Sequence, residues 1–265
     1  MPKKQKLREI QGPDACGSLE GFFSPRSAAV IGASRTEGKI GHAVLSNIVQ
    51  SGFAGAIYPI NPSTDEILGL PCYPDINAIQ GPIDLAVVVI PAKFVLEILE
   101  SCGRRGVKAT IVITAGFRET GHDGLMAEKR MGEIAETYGM RILGRNCLGL
   151  IDTLVPINAS FAAAMPEGGE IAFMSQSGAL CTSVLDIAPA QRVGFSRFLS
   201  LGNKADMDEA GFLEAWAEDP GSKVVMAYLE GISDGPGFIR VARHSTKQEL
   251  AIAIKSGTTS AGSKP

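Results

Sequence analysis

The hydrophobic positions of this chain form short continuous apolar runs, separated by longer stretches in which apolar residues recur with helical spacing. Before residue 151, five such runs predict β-strands, at residues 28–31, 56–60, 83–90, 109–114 and 141–143. Helical spacing occupies the intervals, and the helix expected over about 123–138 should end at Gly139. Runs that are apolar throughout are typical of parallel strands covered on both faces. Residues 24–150 therefore predict an α/β fold with a doubly wound parallel sheet.

The alternation starts again after a break. Residues 151–168 are rich in turn residues without clear periodicity and are interpreted as a linker, while the prolines of residues 70–74 predict a loop. Further strands are predicted at residues 170–174, 197–200, 224–229 and 250–255, with helices over about 178–190, 208–217 and 236–244. We therefore expect an irregular lead over residues 1–20, one domain over 21–150 and a flavodoxin-like domain over 169–265 that is incomplete at its C-terminus.

Composition excludes several classes of function. Hydrophobic residues make up 45% of the 265 residues and charged residues 20%, which is typical of a globular protein. A net charge of −3 offers no basic field for nucleic acid. No apolar run reaches the ~18 residues of a membrane span, and no apolar segment follows the basic residues 1–8 as it would in a secretory signal. The five cysteines are widely spaced without a C-x-x-C pair, which favours a reducing cytoplasm over a disulfide framework or a zinc site.

A glycine-rich loop lies between the first strand and the first helix of the sheet. It contains Gly32, Gly38 and Gly41. A strand, a glycine loop and a helix start in succession direct backbone N–H groups and a helix N-terminus at a phosphate. The alternative is an ordinary tight turn between strand and helix.

The spacing of this loop narrows the choice of ligand. Five residues separate Gly32 from Gly38, and Ile40 rather than Ser or Thr follows Lys39, so a Walker A loop is disfavoured. NAD is also disfavoured, because the second strand ends in Asn61 where a carboxylate normally holds the ribose hydroxyl. A phosphate-bearing ligand of another kind remains.

Other candidate residues also follow predicted strands. Ligands of such sheets bind beyond the carboxyl ends of the strands, where the loops at 32–41, 61–62, 91–92, 114–117 and 146–147 should form one rim. In the second half, residues 175–178 place hydroxyl groups at a helix start, which suits phosphate or is an ordinary serine N-cap. Glu230 ends another strand and is a candidate site residue, the alternative being a carboxylate that faces solvent.

The three histidines provide no metal-ligand pattern. His42 opens the first helix, His122 lies at a loop or helix start, and His244 ends a predicted helix. None has a partner at the spacing of metal ligands, so no metal site is predicted and surface or capping roles are expected.

Several blocks taken together resemble one protein family. They are residues 22–34 (FFSPRSAAVIGAS), 60–62 (INP), 89–92 (VIPA), 113–117 (ITAGF), 146–149 (NCLG), 175–178 (SQSG), 200–206 (SLGNKAD) and 228–232 (YLEGI). In order and spacing they resemble the NDP-forming acyl-CoA synthetases, which are relatives of the succinyl-CoA synthetase α subunit. The resemblance covers about residues 20–257.

The resemblance implies a Rossmann-like domain that binds coenzyme A, followed by a succinyl-CoA-ligase-type flavodoxin-like domain. The residues implied at the coenzyme A site are Gly32, Ala33, Ser34, Lys39, Gly41, Asn61, Pro62, Pro91, Thr114, Ala115, Gly116, Asn146 and Cys147. The first five would lie at the pyrophosphate, and the last five would flank the thioester. Phosphate would be held by Ser175, Gln176, Ser177 and Gly178, and Glu230 would orient a phosphorylated histidine during catalysis.

The implied reaction converts acyl-CoA, phosphate and ADP to an acid, coenzyme A and ATP, through an acyl phosphate and a phosphohistidine. The expected partners are acyl-CoA or a short organic acid, phosphate, and an ATP-grasp β subunit or domain in a hetero- or homo-oligomer. ADP, ATP and Mg would bind only through a missing or partner region. Neither a nucleic acid nor a membrane partner is expected.

Two positions depart from the family pattern. Arg145 stands where the family usually has proline. The phosphoryl-accepting histidine of the family follows a match to Lys255, Ser256 and Gly257, and no histidine follows them here. We therefore expect a truncated chain that binds coenzyme A but does not make ATP alone. The alternatives are a non-catalytic coenzyme A module and an NAD-linked oxidoreductase.

Overall fold

The first half of the protein is built on a five-stranded parallel sheet. The computed structural model describes residues 19–217, 219–246 and 250–256. The strands are β1 (Ser27–Ile31), β2 (Ala56–Ile60), β5 (Leu85–Val88), β6 (Ala109–Val112) and β7 (Arg141–Gly144), in the order β2-β1-β5-β6-β7. The central strands β1, β5 and β6 are buried throughout, as expected of a sheet with both faces covered.

Helices cover the two faces of this sheet. They are α1 (Glu20–Phe23), α2 (Ile40–Gln50), α3 (Val95–Arg104) and α4 (His122–Tyr138), with 3-10 turns at Ile76–Ala78, Ala92–Phe94 and Arg118–Thr120. Helix α4 ends as predicted, because Gly139 adopts the left-handed conformation with φ 57°. The predicted alternation of strands and helices is confirmed in this half.

The loop predicted at residues 70–74 is partly wrong. Leu70–Pro71 forms strand β4, which pairs antiparallel with β3 (Glu66–Ile67). Leu68 and Gly69 both have positive φ and connect the two strands as a tight hairpin. Directly after this hairpin, Tyr73 pairs with Ile60 at the end of β2, so the segment adjoins the edge of the five-stranded sheet.

The second half contains a six-stranded mixed sheet. Its strands are β8 (Gly149–Asp152), β9 (Ile157–Ser160), β10 (Gly168–Ser175), β11 (Phe195–Ser200), β12 (Val224–Leu229) and β13 (Leu250–Lys255), in the order β13-β12-β10-β11-β8-β9. Strands β10 to β13 are parallel to one another, and β8 and β9 are antiparallel additions at one edge. Helices α5 (Gly178–Gln191), α6 (Glu209–Trp216) and α7 (Gly235–Ser245) follow β10, β11 and β12.

The segment 151–168, interpreted from the sequence as a linker, contains strand β9 and the end of β8. Both strands are only four residues long and buried throughout, so they lack the polar alternation of a half-exposed strand. Asp152 is fully buried, accepts hydrogen bonds from the backbone N–H groups of Leu154 and Val155, and pairs with Arg197 of β11 at 2.9 Å. Tertiary pairing rather than local periodicity therefore stabilises this hairpin. The domain boundaries themselves remain a prediction.

The two halves pack on each other through a common apolar core. Phe22 and Phe23 of α1 contact Phe212 and Trp216 of α6, with ring centroids 6.0–6.2 Å apart across the two helices. Helix α2 lies against β9, where Asn47 Nδ2 donates to the Ser160 carbonyl oxygen at 2.9 Å. The carboxyl end of the first sheet is thereby held facing the second half.

Candidate functional site

One cavity of about 490 Å³ opens between the two halves of the molecule. Its lining residues come from strand ends and helix starts: Ile40, Val89, Ile90, Pro91, Ile113, Thr114, Ala115, Asn146, Cys147, Leu148, Phe161, Gly178 and Thr182. Six of them were predicted as site residues from the sequence, namely Pro91, Thr114, Ala115, Asn146, Cys147 and Gly178. The structure therefore brings predicted residues of both halves to one place.

The glycine-rich loop adjoins this cavity through Ile40. Gly32 has φ +92°, and a Cβ there would lie 2.2 Å from the carbonyl oxygen of Val89. A Cβ on Gly41 would lie 2.0 Å from the carbonyl oxygen of Gly32. Gly32 thus lets the end of β1 lie close to the backbone that follows β5, and Gly41 lets the start of α2 lie close to the end of β1. Gly38 has no such neighbour, and its φ of +80° is the feature that favours glycine there.

The first turn of α2 keeps backbone N–H groups without a side-chain cap. Lys39 is the N-cap residue and makes no side-chain capping hydrogen bond, and its side chain is exposed. His42 Nδ1 donates to the carbonyl oxygen of Ser34 at 3.0 Å, so this histidine stabilises the loop against the start of α2. Free N–H groups, the helix dipole and a nearby cation together suit an anion, and the role of Lys39, Ser34 and Gly41 at a pyrophosphate stays a prediction.

Asn61 fastens the glycine loop from the neighbouring strand. Its Nδ2 donates to the carbonyl oxygen of Ala33 at 2.7 Å, and its Oδ1 accepts from the Ser63 N–H at 2.9 Å. Ala33 is fully buried, so this amide satisfies a carbonyl that would otherwise lack a partner. The geometry therefore supports a positioning role for Asn61, while Pro62 beside it is exposed.

The 114–117 loop and the turn at Asn146 form the opposite wall. Thr114 Oγ1 donates to the carbonyl oxygen of Ile90 at 2.7 Å, and the Asn146 N–H donates to the carbonyl oxygen of Thr114 at 3.1 Å. Gly116 has φ +102° and its N–H donates to Glu119 at 2.7 Å. The Thr114 hydroxyl is thus engaged within the protein, and Ala115 is left exposed at the cavity.

Cys147 is buried and does not act as a nucleophile in this arrangement. The residue is 4% exposed, and its thiol donates to the carbonyl oxygen of Val112 at 3.4 Å. Burial raises the pKa of Cys147 to about 12, so almost no thiolate exists near neutral pH. Its contribution to the cavity is an apolar surface.

The predicted phosphate segment at residues 175–178 uses its side chains internally. Ser175 is fully buried, and its Oγ donates to the carbonyl oxygen of Ser177 and accepts from the Ser177 N–H, each at 3.0 Å. Ser177 is the N-cap of α5, and its hydroxyl accepts from the Leu180 N–H at 3.3 Å. An anion here would meet the backbone of the α5 start and Gly178, and phosphate binding stays a prediction.

Gln176 connects this segment to Glu230. Its Oε1 accepts from the N–H groups of Glu230 and Gly231, both at 2.9 Å, and its Nε2 donates to the Gly231 carbonyl oxygen at 2.8 Å. Lys204 Nζ also donates to that carbonyl, at 2.7 Å, and to buried Glu209 at 2.9 Å. The backbone of Glu230 is therefore held in place while its side chain is exposed.

Seven residues of the cavity wall were not predicted as site residues from the sequence. Ile40, Val89, Ile90, Ile113, Leu148, Phe161 and Thr182 line the cavity without having been singled out. Most of them neighbour a predicted residue along the chain, which is a usable signal. Phe161 and Thr182 carry no such signal, because they reach the cavity only through the packing of β9 and α5 against the first half.

Several predictions on chemistry lie elsewhere in the fold. His122 opens α4 and His244 lies in the last turn of α7, both exposed. No group of three His, Cys, Asp or Glu side chains among the described residues is arranged to hold a metal ion. Within the same ranges, no helix is both long and apolar enough to cross a bilayer. Cys16 lies outside the described residues, and the other four cysteines are free thiols.

Comparisons with known proteins match both halves of the chain. The model of the family described as "CoA binding domain" matches residues 26–153, and the model described as "Succinyl-CoA ligase like flavodoxin domain" matches residues 168–265. The second match begins where strand β10 begins, and the first match ends directly after β8.

Curated relatives agree with these matches. An ADP-forming acetate–CoA ligase I of Archaeoglobus fulgidus is 44% identical over 246 residues, which are 93% of this chain and 36% of that protein. The alpha subunit of an ADP-forming acetate–CoA ligase II of Pyrococcus furiosus is 43% identical over 246 residues, which are 93% of this chain and 53% of the subunit. The chain thus spans between a third and a little over half of the length of these relatives.

A solved structure has the same fold. It is the "dinucleotide forming Acetyl-coenzyme A synthetase 1" of Ca. Korarchaeum cryptofilum in complex with phosphate and ADP, with a TM-score of 0.89 and 40% identity over 92% of this chain and 53% of that chain. The predicted fold class and the resemblance to NDP-forming acyl-CoA synthetases are thereby confirmed. Residues 26–153 therefore belong to the CoA binding domain family, and residues 168–265 belong to the family of succinyl-CoA ligase like flavodoxin domains.

Proposed function

We propose that this chain is the coenzyme A-binding portion of an NDP-forming acyl-CoA synthetase. The observation that carries the proposal is the cavity of about 490 Å³ between the halves, in which rim residues of the first sheet meet the start of α5 from the second. Ligands of doubly wound sheets bind at such carboxyl ends. The cavity joins a loop suited to a diphosphate to a second helix start suited to phosphate, as a reaction between a thioester and phosphate requires.

The cavity wall suits the pantetheine arm and the acyl group. None of its thirteen described lining residues carries a charge, and most are apolar. The exposed Asn146 side chain would supply polar contacts to an amide-containing arm, and the hydroxyls of Thr114 and Thr182, which donate to Ile90 and Gly178, could still accept hydrogen bonds from it. The diphosphate would lie at the glycine loop and the start of α2, outside this apolar space.

The proposed reaction begins with attack of phosphate on the thioester carbonyl carbon. The carbon–sulfur bond breaks, coenzyme A leaves as the thiolate, and an acyl phosphate forms. A histidine then takes the phosphoryl group as the O–P bond of the acyl phosphate breaks and the carboxylate leaves, and ADP takes it from the histidine as the N–P bond breaks, which gives ATP and the free histidine. Gly178 and the free N–H groups of the α5 start would hold the phosphate, because they can compensate its charge as it develops.

The accepting histidine is proposed to come from outside these 265 residues, together with an ATP-grasp partner that binds ADP and Mg. His42 is tied to Ser34, while His122 and His244 lie exposed on other helices. None of the three lines the cavity. Glu230, held by Gln176, would then orient the incoming histidine.

Binding of coenzyme A tests the proposal directly. Isothermal titration of the full chain with coenzyme A and, in parallel, with NADH should give a one-to-one complex with coenzyme A only. The variant Ala115→Trp fills the cavity mouth and should weaken binding by at least about tenfold, or ~1.4 kcal/mol. Ala54→Trp, at an exposed position away from the cavity, is the matched control.

Two outcomes would contradict the proposal. Preference for NADH would favour the oxidoreductase alternative, and equal binding of coenzyme A by wild type and Ala115→Trp would place the ligand elsewhere. If coenzyme A binds as expected, addition of an ATP-grasp subunit that carries ADP should convert acyl-CoA and phosphate to ATP. Failure of that step with every such partner would leave a coenzyme A module without ligase chemistry.

A further inference from the structure

A charge cluster of Arg118, Glu119, Glu128 and Arg145, here called the Arg145 cluster, adjoins the 114–117 loop, with Arg145 and Glu128 buried and Arg118 and Glu119 exposed. The Arg145 side chain is 1% exposed. Its Nη1 donates to Glu119 Oε2 at 3.1 Å and its Nη2 donates to Glu128, which also pairs with Arg118 at 3.0 Å. Two cations and two carboxylates balance, which is the condition under which a guanidinium is tolerated at such depth.

Glu119 connects the Arg145 cluster to the 114–117 loop. Its Oε2 accepts from Arg145, while its Oε1 accepts from the backbone N–H of Gly116 at 2.7 Å. Hydrogen bonds to its carboxylate keep the pKa of Glu119 below its usual value although partial burial opposes this. The carboxylate of Glu119 therefore bridges the buried guanidinium of Arg145 and the backbone of Gly116, which has φ +102° and no side chain to restrict its conformation.

The backbone at Arg145 and Asn146 makes further hydrogen bonds. Its carbonyl oxygen accepts from the N–H of Asn203 at 2.9 Å, and the next residue, Asn146, donates its N–H to Thr114 at 3.1 Å. Asn146 and Thr114 both line the cavity. The turn that contains Arg145 is thus in contact with the loop on one side and with the second half of the chain on the other.

We infer that Arg145 is a positioning residue that sets the conformation of the 114–117 loop through Glu119 and so shapes the thioester end of the cavity. The inference rests on the proposed function only for the identity of the ligand, coenzyme A. Arg145 touches no ligand in this scheme; it holds Glu119, and its guanidinium also lies over the ring of Phe117, with 5.7 Å between Cζ and the ring centroid.

Amide hydrogen exchange at Gly116, measured by NMR on the full chain, tests the connection without any ligand. Glu119→Ala should raise the Gly116 exchange rate at least about tenfold, because the acceptor of its N–H is lost. Glu119 is 39% exposed as a side chain, so this variant leaves Arg145 paired with Glu128 and should fold. Arg145→Met should raise the Gly116 rate by a similar factor.

A double-mutant cycle separates positioning from a general loss of structure. If Arg145 acts through Glu119, adding Arg145→Met to Glu119→Ala should change the Gly116 rate by less than about twofold. Arg130→Met is the matched control, because Arg130 also pairs with two carboxylates, Glu100 and Glu133, but on the surface. It should leave exchange at Gly116 unchanged.

Coenzyme A binding provides the second readout. Glu119→Ala and Arg145→Met should each weaken it about tenfold, and Arg130→Met should not. Unchanged Gly116 exchange in Glu119→Ala, or full additivity in the double variant, would overturn the inference even if wild type binds coenzyme A. Conversely, absence of coenzyme A binding by wild type would refute the proposed function while the exchange data still decide the role of Arg145.

Discussion

Gly41 allows a sharp test of how the glycine loop is built. In Gly41→Ala the new Cβ would start 2.0 Å from the carbonyl oxygen of Gly32, and real Cβ atoms do not approach closer than about 3.0 Å. Helix α2 or the loop must therefore move by about 1 Å. Helix α2 also contacts the second half, since Asn47 donates to the carbonyl oxygen of Ser160 at 2.9 Å. The movement should therefore disturb both the contact of α2 with the glycine loop and the hydrogen bond to Ser160.

The expected cost follows from two opposing effects. Overpacking of a closely packed contact costs about 1–3 kcal/mol. Replacing a helical glycine by alanine gains about 0.5–1 kcal/mol, because the unfolded chain loses conformational freedom. We therefore expect Gly41→Ala to lower the free energy of unfolding by about 1–2 kcal/mol and to weaken coenzyme A binding.

Gly132→Ala is the matched control for this prediction. Gly132 lies inside helix α4, and the nearest atom to its added Cβ is 4.0 Å away. The same chemical change should raise the free energy of unfolding there by about 0.5–1 kcal/mol. The two substitutions are thus expected to change the free energy of unfolding in opposite directions.

Urea unfolding followed by the fluorescence of Trp216 measures both variants. This is the one tryptophan of the sequence and is fully buried between the halves. With a slope m of about 2–3 kcal/mol/M, a loss of about 1–2 kcal/mol should lower the urea midpoint of Gly41→Ala by ~0.3–1 M at unchanged m. A midpoint for Gly41→Ala at or above that of wild type would refute the close approach of α2 to β1.

Three further predictions concern other parts of the site. Asn61→Ala should cost about 1–3 kcal/mol in urea unfolding, because the buried Ala33 carbonyl loses its partner, and a cost below ~0.5 kcal/mol would show that the amide does not position the loop. Alkylation of the native chain at pH 8, followed by mass spectrometry, should modify Cys72 well before Cys147, whose pKa is raised to about 12 by burial, and equal labelling would contradict the buried site. The pKa of Glu119 is lower in the folded than in the unfolded state, so its contribution to stability is present above the unfolded pKa near 4.5 and is lost as the pH falls through the lower folded value. Glu119→Gln should therefore lose less stability than wild type as the pH falls below 4.5. Parallel curves of unfolding free energy against pH for the two proteins would contradict the hydrogen bonds of Glu119.

Local sequence determined most of the secondary structure. Strands β2, β12 and β13 have the predicted bounds, and helix α4 ends at the predicted Gly139. These features depend on contacts between near neighbours in the chain and on the φ preference of single residues, which a one-dimensional pattern records. The meeting of several rim residues was predictable from fold class instead, because the carboxyl ends of parallel strands meet at one edge of a sheet.

Only the tertiary structure decided the shape of the site. Strand β9 has no periodic signal, yet its pairing with β8 brings Phe161 to the cavity, and the packing of α5 brings Thr182. Likewise Arg145 and Glu128 are seventeen positions apart, and only burial makes their pairing obligatory. Contacts between distant residues depend on how whole elements pack, and that packing minimises exposed apolar surface and unpaired charge over the entire molecule rather than within any single segment.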